Sequence, residues 1–148
     1  MKYFVSFKYM KNDFFIYRMY VIISLLIVTP LGFATKFYIG PGELWFHNYG
    51  GAILYEIFWC LVIFLFTPTT SPLKIAIVVF IATSFLETLQ LWHPAFLEWI
   101  RKSFIGRTLI GTTFVPCDFF YYVIGCIIGY LWLKTTLRLS DSYCNKSA

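Results

Sequence analysis

Gly50-Gly-Ala-Ile-Leu-Tyr-Glu56-Ile-Phe-Trp-Cys-Leu-Val-Ile-Phe-Leu-Phe66 holds a single charge among its residues. As a helix it would rise roughly 25 Å at about 1.5 Å per residue, close to the thickness of a bilayer's hydrocarbon core. It is apolar on every face rather than along one stripe, so it has no side suited to water. Pro68 and Pro72 end it, because a proline ring cannot continue a helix. On the C-terminal side a second such run extends from Leu73 to Trp92 and is stopped by Pro94, which disfavours the helical conformation in the residue before it. Toward the N-terminus the stretch from Tyr17 to Ala34 opens on Arg18, carries Pro30 as an expected kink, and is followed by Lys36. A fourth run, Val115 to Leu133, is followed by Lys134 and Arg138. The reading is an all-α polytopic membrane protein: four transmembrane helices in a bundle, over about 17–34, 50–66, 73–92 and 115–133, forming one domain across residues 1–148.

Composition agrees. The 148 residues are 59% hydrophobic and 13% charged with a mean hydropathy of +0.73, whereas a soluble domain is about half apolar and about a quarter charged. No linker, repeat or low-complexity tract divides the chain. The net charge of +5 does not indicate nucleic acid, because the basic residues are scattered at segment ends and form no stripe. Membrane lipids are the expected partners and nucleic acid is not. Cys60, Cys117, Cys126 and Cys144 show no CxxC spacing and read as small core residues. His47 and His93 sit at segment ends without metal-ligand spacing, so neither a metal nor a cofactor is expected.

Lys2, Lys8 and Lys11 precede the first span as they would in a signal peptide, but the leader is rich in Phe and Tyr and no small-x-small site follows, so the span is expected to be retained. With the N-terminus inside, Lys2, Lys8, Lys11, Arg18, Lys74, Lys134, Arg138 and Lys146 are cytoplasmic, leaving Lys36, Arg101, Lys102 and Arg107 outside. The positive-inside bias favours that arrangement, with both termini cytoplasmic. Between the third and fourth spans, Phe96, Leu97, Ile100 and Phe104 recur at helical spacing opposite Glu98, Arg101 and Lys102. Either a short interfacial helix or a plain covering loop fits that pattern. Trp45, Trp92 and Trp99 are expected at the interface.

Charged side chains inside a span are costly, so Glu56 and Glu87 are the informative residues. Glu87 precedes Trp92 by five residues and Glu56 follows Gly50 by six, which places both roughly 8–9 Å below the same face. Asp118 opens the fourth helix on that side. Thr83, Glu87 and Gln90 share one helical stripe, and Asp118, Tyr122, Gly125 and Gly129 share another. The glycines would admit a neighbouring helix closely. Arg107 is the preferred basic partner, since its planar fork can engage a carboxylate through two bonds, with Lys36 and Arg101 as further candidates. The cluster Glu56, Glu87, Gln90, Arg107, Asp118 and Tyr122 either clamps the helices or serves a ligand. The run from Phe104 to Phe114, with two glycines, Arg107 and three threonines, fits either an ordinary loop or one that dips into the membrane edge and holds an anion.

At these residues the sequence resembles a known family. The runs Gly50-Gly-Ala-Ile-Leu-Tyr-Glu-Ile-Phe-Trp59, Glu87-Thr-Leu-Gln-Leu-Trp-His-Pro94, Leu97-Glu-Trp-Ile-Arg101, Gly106-Arg-Thr-Leu-Ile-Gly-Thr-Thr-Phe114 and Asp118-Phe-Phe-Tyr-Tyr-Val-Ile-Gly125 are similar to the small bacterial membrane proteins grouped as domain of unknown function 2809. The likeness extends from Pro30 to Leu133 and implies a bacterial plasma-membrane protein, with no activity assigned. A more distant likeness is to VanZ-like proteins, which carry Glu-x-x-Gln on one helix and Asp-x-x-x-(Asn or Tyr)-x-x-Gly on the next. Glu87 with Gln90, and Asp118 with Tyr122 and Gly125, stand in those places, Tyr122 where many members have Asn. VanZ is associated with resistance to a glycopeptide antibiotic acting at the cell surface.

Three functions are compatible with these residues. The first is a non-enzymatic pocket in the outer leaflet for a polar lipid headgroup or envelope small molecule. The second is an intramembrane enzyme using Glu87 and Asp118 as acid and base. The third is a proton- or cation-coupled carrier working through Glu56 and Glu87, which lacks a matching carboxylate in the inner half.

Overall fold

The computed structural model describes residues 10–106 and 114–146, with side chains described over 16–106 and 114–140. Its elements, in chain order, are α1 (Met10–Ala34), the short α2 (Glu43–Trp45), a π-helical turn (Phe46–Gly50), α3 (Gly51–Phe66), α4 (Pro72–Leu89), α5 (Ala95–Arg101) and α6 (Asp118–Lys146). Among the described residues there is no strand. Four stretches are long and apolar enough to cross a membrane: Ile16–Ala34, Glu43–Phe66, Pro72–Leu89 and Asp118–Ser140.

The four-helix reading holds, with three shifts at the boundaries. The second span begins at Glu43 rather than near Gly50, because α2 and the π-helical turn run without a break into α3. Gly42 makes this start possible: its φ of 79° lies in the left-handed region that a side chain disfavours. The third helix stops at Leu89 rather than Trp92. The fourth begins at Asp118 and continues past Leu133, the apolar signal fading along a helix that is still backbone-bonded. α1 runs on through Pro30.

α3 and α6 form the central pair. α1 packs against both on one side and α4 packs against both on the other. The α3–α6 approach is set by glycine: a Cβ on Gly125 would lie 2.7 Å from the Glu56 Cβ and 2.8 Å from the Ile53 carbonyl oxygen, and one on Gly129 would lie 2.9 Å from the Cys60 Sγ. Without these two glycines the helices could not sit at their present distance.

Each helix turns one stripe inward. On α1 it is Tyr17, Val21, Ser24 and Val28; on α4 it is Ile75, Ala76, Val79, Thr83 and Glu87. Antiparallel packing sorts these stripes into two halves. Tyr17, Phe64, Ile75 and Leu133 cluster toward one end, with Thr136 and Ser140 buried beyond Leu133 on α6, and the Tyr17 and Phe64 rings meet edge to face at 5.7 Å. The polar members Glu56, Thr83, Glu87 and Gln90 collect at the other end. Outward faces are apolar, with Leu26, Phe66, Ile81 and Phe85 among the large exposed side chains. Such a surface suits lipid, since contiguous exposed apolar area on this scale is rare in soluble monomers.

Of the two expectations for this segment, a short helix or a plain loop, α5 forms as a helix. Leu97 and Arg101 are buried, while Phe96, Trp99 and Phe104 point outward. Arg101 turns in because it caps α4: its Nη2 donates to the Leu89 carbonyl at 2.9 Å and its Nη1 to the Trp92 carbonyl at 3.2 Å. Carbonyls at a helix C-terminus have no partner within the helix, and a cation there also meets the negative end of the helix dipole.

Candidate functional site

The carboxylates that the sequence singles out converge at the polar end. Glu87, near the end of α4, is 2% exposed, yet its carboxylate accepts three hydrogen bonds. The Val115 backbone N–H donates to Oε1 at 2.9 Å; the Gln90 amide and the Tyr122 hydroxyl donate to Oε2 at 2.9 and 2.7 Å. Glu87 thereby ties α4 to the start of α6 through both main chain and side chain. Burial without these donors would cost several kcal/mol, of the order seen for an isolated buried charge.

Glu56 on α3 lies one helical turn deeper. It is fully buried, and its Oε2 accepts the Cys126 thiol at 3.0 Å. Cys126 follows Tyr122 by four residues, so one face of α6 addresses both glutamates. The Thr83 hydroxyl lies beside the Glu56 carboxyl but donates to the Val79 and Phe80 carbonyls, so the buried Glu56 Oε1 makes no hydrogen bond of its own; the buried Gln90 Oε1 has no partner either. Asp118 opens α6, half-buried, within electrostatic reach of Glu87. The Tyr122 hydroxyl lies within such reach of Glu56, Glu87 and Asp118, and bonds to Glu87.

Beside Asp118 the polar end is walled by aromatic rings. Tyr49 and Tyr121 stack at 4.1 Å, and the Trp45 indole N–H donates to the Tyr121 hydroxyl at 3.2 Å. This shelf was not foreseen as part of the site; the signal was the aromatic run before Gly50, hidden because that stretch read as a loop rather than as the first turns of the second span.

The basic partners do not fall as expected. Arg107, the preferred one, lies outside the described residues. Lys36 donates to the His47 carbonyl at 2.9 Å and makes no ion pair with a site carboxylate, although it lies within electrostatic reach of Asp118. Arg101 is committed to the α4 carbonyls and to Glu98, whose Oε1 it meets at 2.9 Å. His93 Nδ1 lies 2.8 Å from the same oxygen. The His93 and Arg101 hydrogen bonds hold the Glu98 carboxyl below the usual carboxylate range. The rest of the Phe104–Phe114 anion-loop expectation, residues 107–113, also lies outside the described residues. Among the described residues, no three His, Cys, Asp or Glu side chains are grouped to hold a metal ion.

Four lipid-compatible helices around a buried polar end define a multi-pass α-helical membrane protein. The chain belongs to the family described as Protein of unknown function (DUF2809), whose profile matches residues 42–126. That interval begins at the turn into α2 and ends at Cys126, so it contains Glu56, Glu87, Gln90, Asp118 and Tyr122. No curated protein and no solved structure matches the chain.

Proposed function

We propose that this protein binds a polar lipid headgroup or small envelope molecule, without turnover, in the polar end formed by Glu56, Glu87, Gln90, Asp118 and Tyr122. In this reading both termini are cytoplasmic, the membrane is a bacterial plasma membrane, and the polar end faces outward with Arg107 close to it. The carrying observation is the buried, unpartnered Gln90 Oε1, together with a buried Glu56 Oε1 whose neighbour Thr83 gives its hydroxyl to main-chain carbonyls. A cluster that served only to clamp helices would be expected to satisfy its own members, because a half-satisfied buried network is worse than an apolar one. Two acceptors left open beside a carboxylate held by three hydrogen bonds fit a site completed by a ligand.

The enzymatic alternative has less support, since three of the roughly four acceptor positions of the Glu87 carboxylate are taken by Val115, Gln90 and Tyr122, an arrangement that fixes the group in place. The test is equilibrium binding of a fractionated bacterial lipid extract to the purified full chain in detergent, followed by mass spectrometry. Saturable retention of one headgroup class is expected, weakened in Glu56→Gln while the melting profile is unchanged. Equal retention of every class by both proteins refutes binding. Exposed Cys117 reports the orientation: in a Cys144→Ser background it should react in intact cells with a membrane-impermeant maleimide.

A further inference from the structure

α5 has three sides, each of different chemistry. At about 100° per residue, Leu97 and Arg101 share one side, Phe96 and Trp99 a second, and Glu98 and Lys102 a third, the three lying roughly a third of a turn apart. The first side is buried against the bundle, where Arg101 bonds the end of α4. On the second, Phe96 and Trp99 are 57% and 75% exposed. The third is exposed and charged.

The aromatic side belongs to a larger patch that is firmly held. The Trp92 ring meets Phe96 edge to face at 5.8 Å, and Phe104 and Ile105, just beyond the helix, are exposed as well. The Ser103 hydroxyl accepts the Gly106 N–H at 2.9 Å, and Gly106 lies so close to α5 that a Cβ there would collide with the Ile100 carbonyl. On its other flank the patch is continuous with the outward face of the third span: Ile77, Ile81 and Phe85 form an exposed apolar stripe on α4 that leads toward Leu91 and Trp92.

A helix resting on the surface of a membrane beside a bundle has three neighbours, namely protein, lipid and water. From this match we infer that α5 lies in the plane of the bilayer at the polar end, with Trp92, Phe96, Trp99, Phe104 and Ile105 docked into the boundary between headgroups and acyl chains and with Glu98 and Lys102 turned to water. Lipid is the occupant rather than a second copy of the chain, because the patch continues the lipid-facing surface of α4 and is bordered by charges where lipid gives way to water. Tryptophan is favoured at that level, and amphipathic helices settle there with their apolar side buried by about 5–10 Å. The inference holds whether or not the polar end takes a ligand. Since Arg101 joins α5 to the Leu89 and Trp92 carbonyls, such an anchor also holds the end of α4, with Glu87 and Gln90, close beneath the headgroups.

The experiment uses the full chain reconstituted in phosphatidylcholine vesicles that contain lipids with a nitroxide either near the headgroup or near the end of the acyl chain. Subtracting the fluorescence of Trp99→Phe from that of the native chain gives the Trp99 signal. It should be quenched severalfold more by the shallow nitroxide than by the deep one and be shielded from aqueous acrylamide. Phe96→Trp in the Trp99→Phe chain moves the reporter within the patch and should give the same pattern, so the result does not hang on one variant. Free quenching by acrylamide, with neither nitroxide effective, would place the patch in water and overturn the inference. Shielding from all three quenchers would mean that protein covers it, a second copy included, and would overturn it equally. Stronger quenching by the deep nitroxide would rule out the surface position.

Discussion

Replacing single glycines with alanine tests whether the α3–α6 seam sets the position of the site. The same chemical change is expected to have opposite signs at different positions. At Gly32 on α1, the nearest atom to an added Cβ is the Leu54 Cβ at 3.8 Å, an ordinary contact. Gly32→Ala should therefore keep the helix-propensity gain of about 0.8–1 kcal/mol and raise stability slightly. At Gly125 the new Cβ would meet the Glu56 Cβ at 2.7 Å and the Ile53 carbonyl oxygen at 2.8 Å. One of these neighbours is main chain, so relief requires the helices to separate, and overpacking of this sort costs about 1–3 kcal/mol. Set against the propensity gain, Gly125→Ala should lose up to about 2 kcal/mol. Gly129→Ala should fall between, because the Cys60 Sγ at 2.9 Å can rotate away while the Cys60 Cβ at 3.1 Å must still give by a few tenths of an ångström. Reversible unfolding of the three variants in one bilayer mimetic, read by tryptophan fluorescence, gives the order directly. If Gly125→Ala is as stable as Gly32→Ala, the close approach of α3 and α6 is wrong, and with it the juxtaposition of Glu56 and Cys126.

Tyr122→Phe removes one hydrogen bond to a buried carboxylate and should cost about 1.5–3 kcal/mol, whereas Glu87→Ala strands three donors at once and should cost more than any single-bond loss; equal costs by denaturant titration would contradict the geometry. Arg101→Met removes the cap on Leu89 and Trp92 and should speed hydrogen exchange in the last turn of α4, leaving the α3 amides unchanged; unchanged exchange at both would dismiss the cap. Glu98 has a depressed carboxyl, so its contribution is present above the ordinary value of 4.5 and lost as pH falls through the lower folded value. Exchange protection of α5 should therefore decline as pH drops below about 4.5 in the native chain and be insensitive there in Glu98→Gln, measured with correction for intrinsic rates.

The membrane-spanning elements could be read from the chain because their signal is local: about twenty apolar residues and the prolines around them suffice. That Glu56, Glu87 and Asp118 belong to one end of the bundle was readable for the same reason, although Glu56 sits a turn deeper than Glu87. What could not be read was partner choice. Thr83, Glu87 and Gln90 were expected on one stripe and are all buried, but nothing in their spacing indicates that Val115 donates its backbone N–H to Glu87. Arg101 looked like one of several loop cations; its role depends on where α4 stops, and the apolar run through Leu91 and Trp92 concealed that end. Cys126 read as a small core residue, and it does fill the core, yet it also donates to Glu56 across 70 positions of sequence, a contact only the seam geometry creates.

The π-helical turn at Phe46–Gly50 sets the phase of the second span. In a uniform α-helix successive residues advance by about 100°, and a widened turn accommodates one more residue before the winding resumes. The rings of Trp45 and Tyr49 are thereby turned relative to Glu56 by about one residue's worth of rotation, and in that setting they meet Tyr121. Shortening this segment by one residue would leave the deeper seam intact while swinging the aromatic wall off its partner, so rim and interior can be altered separately.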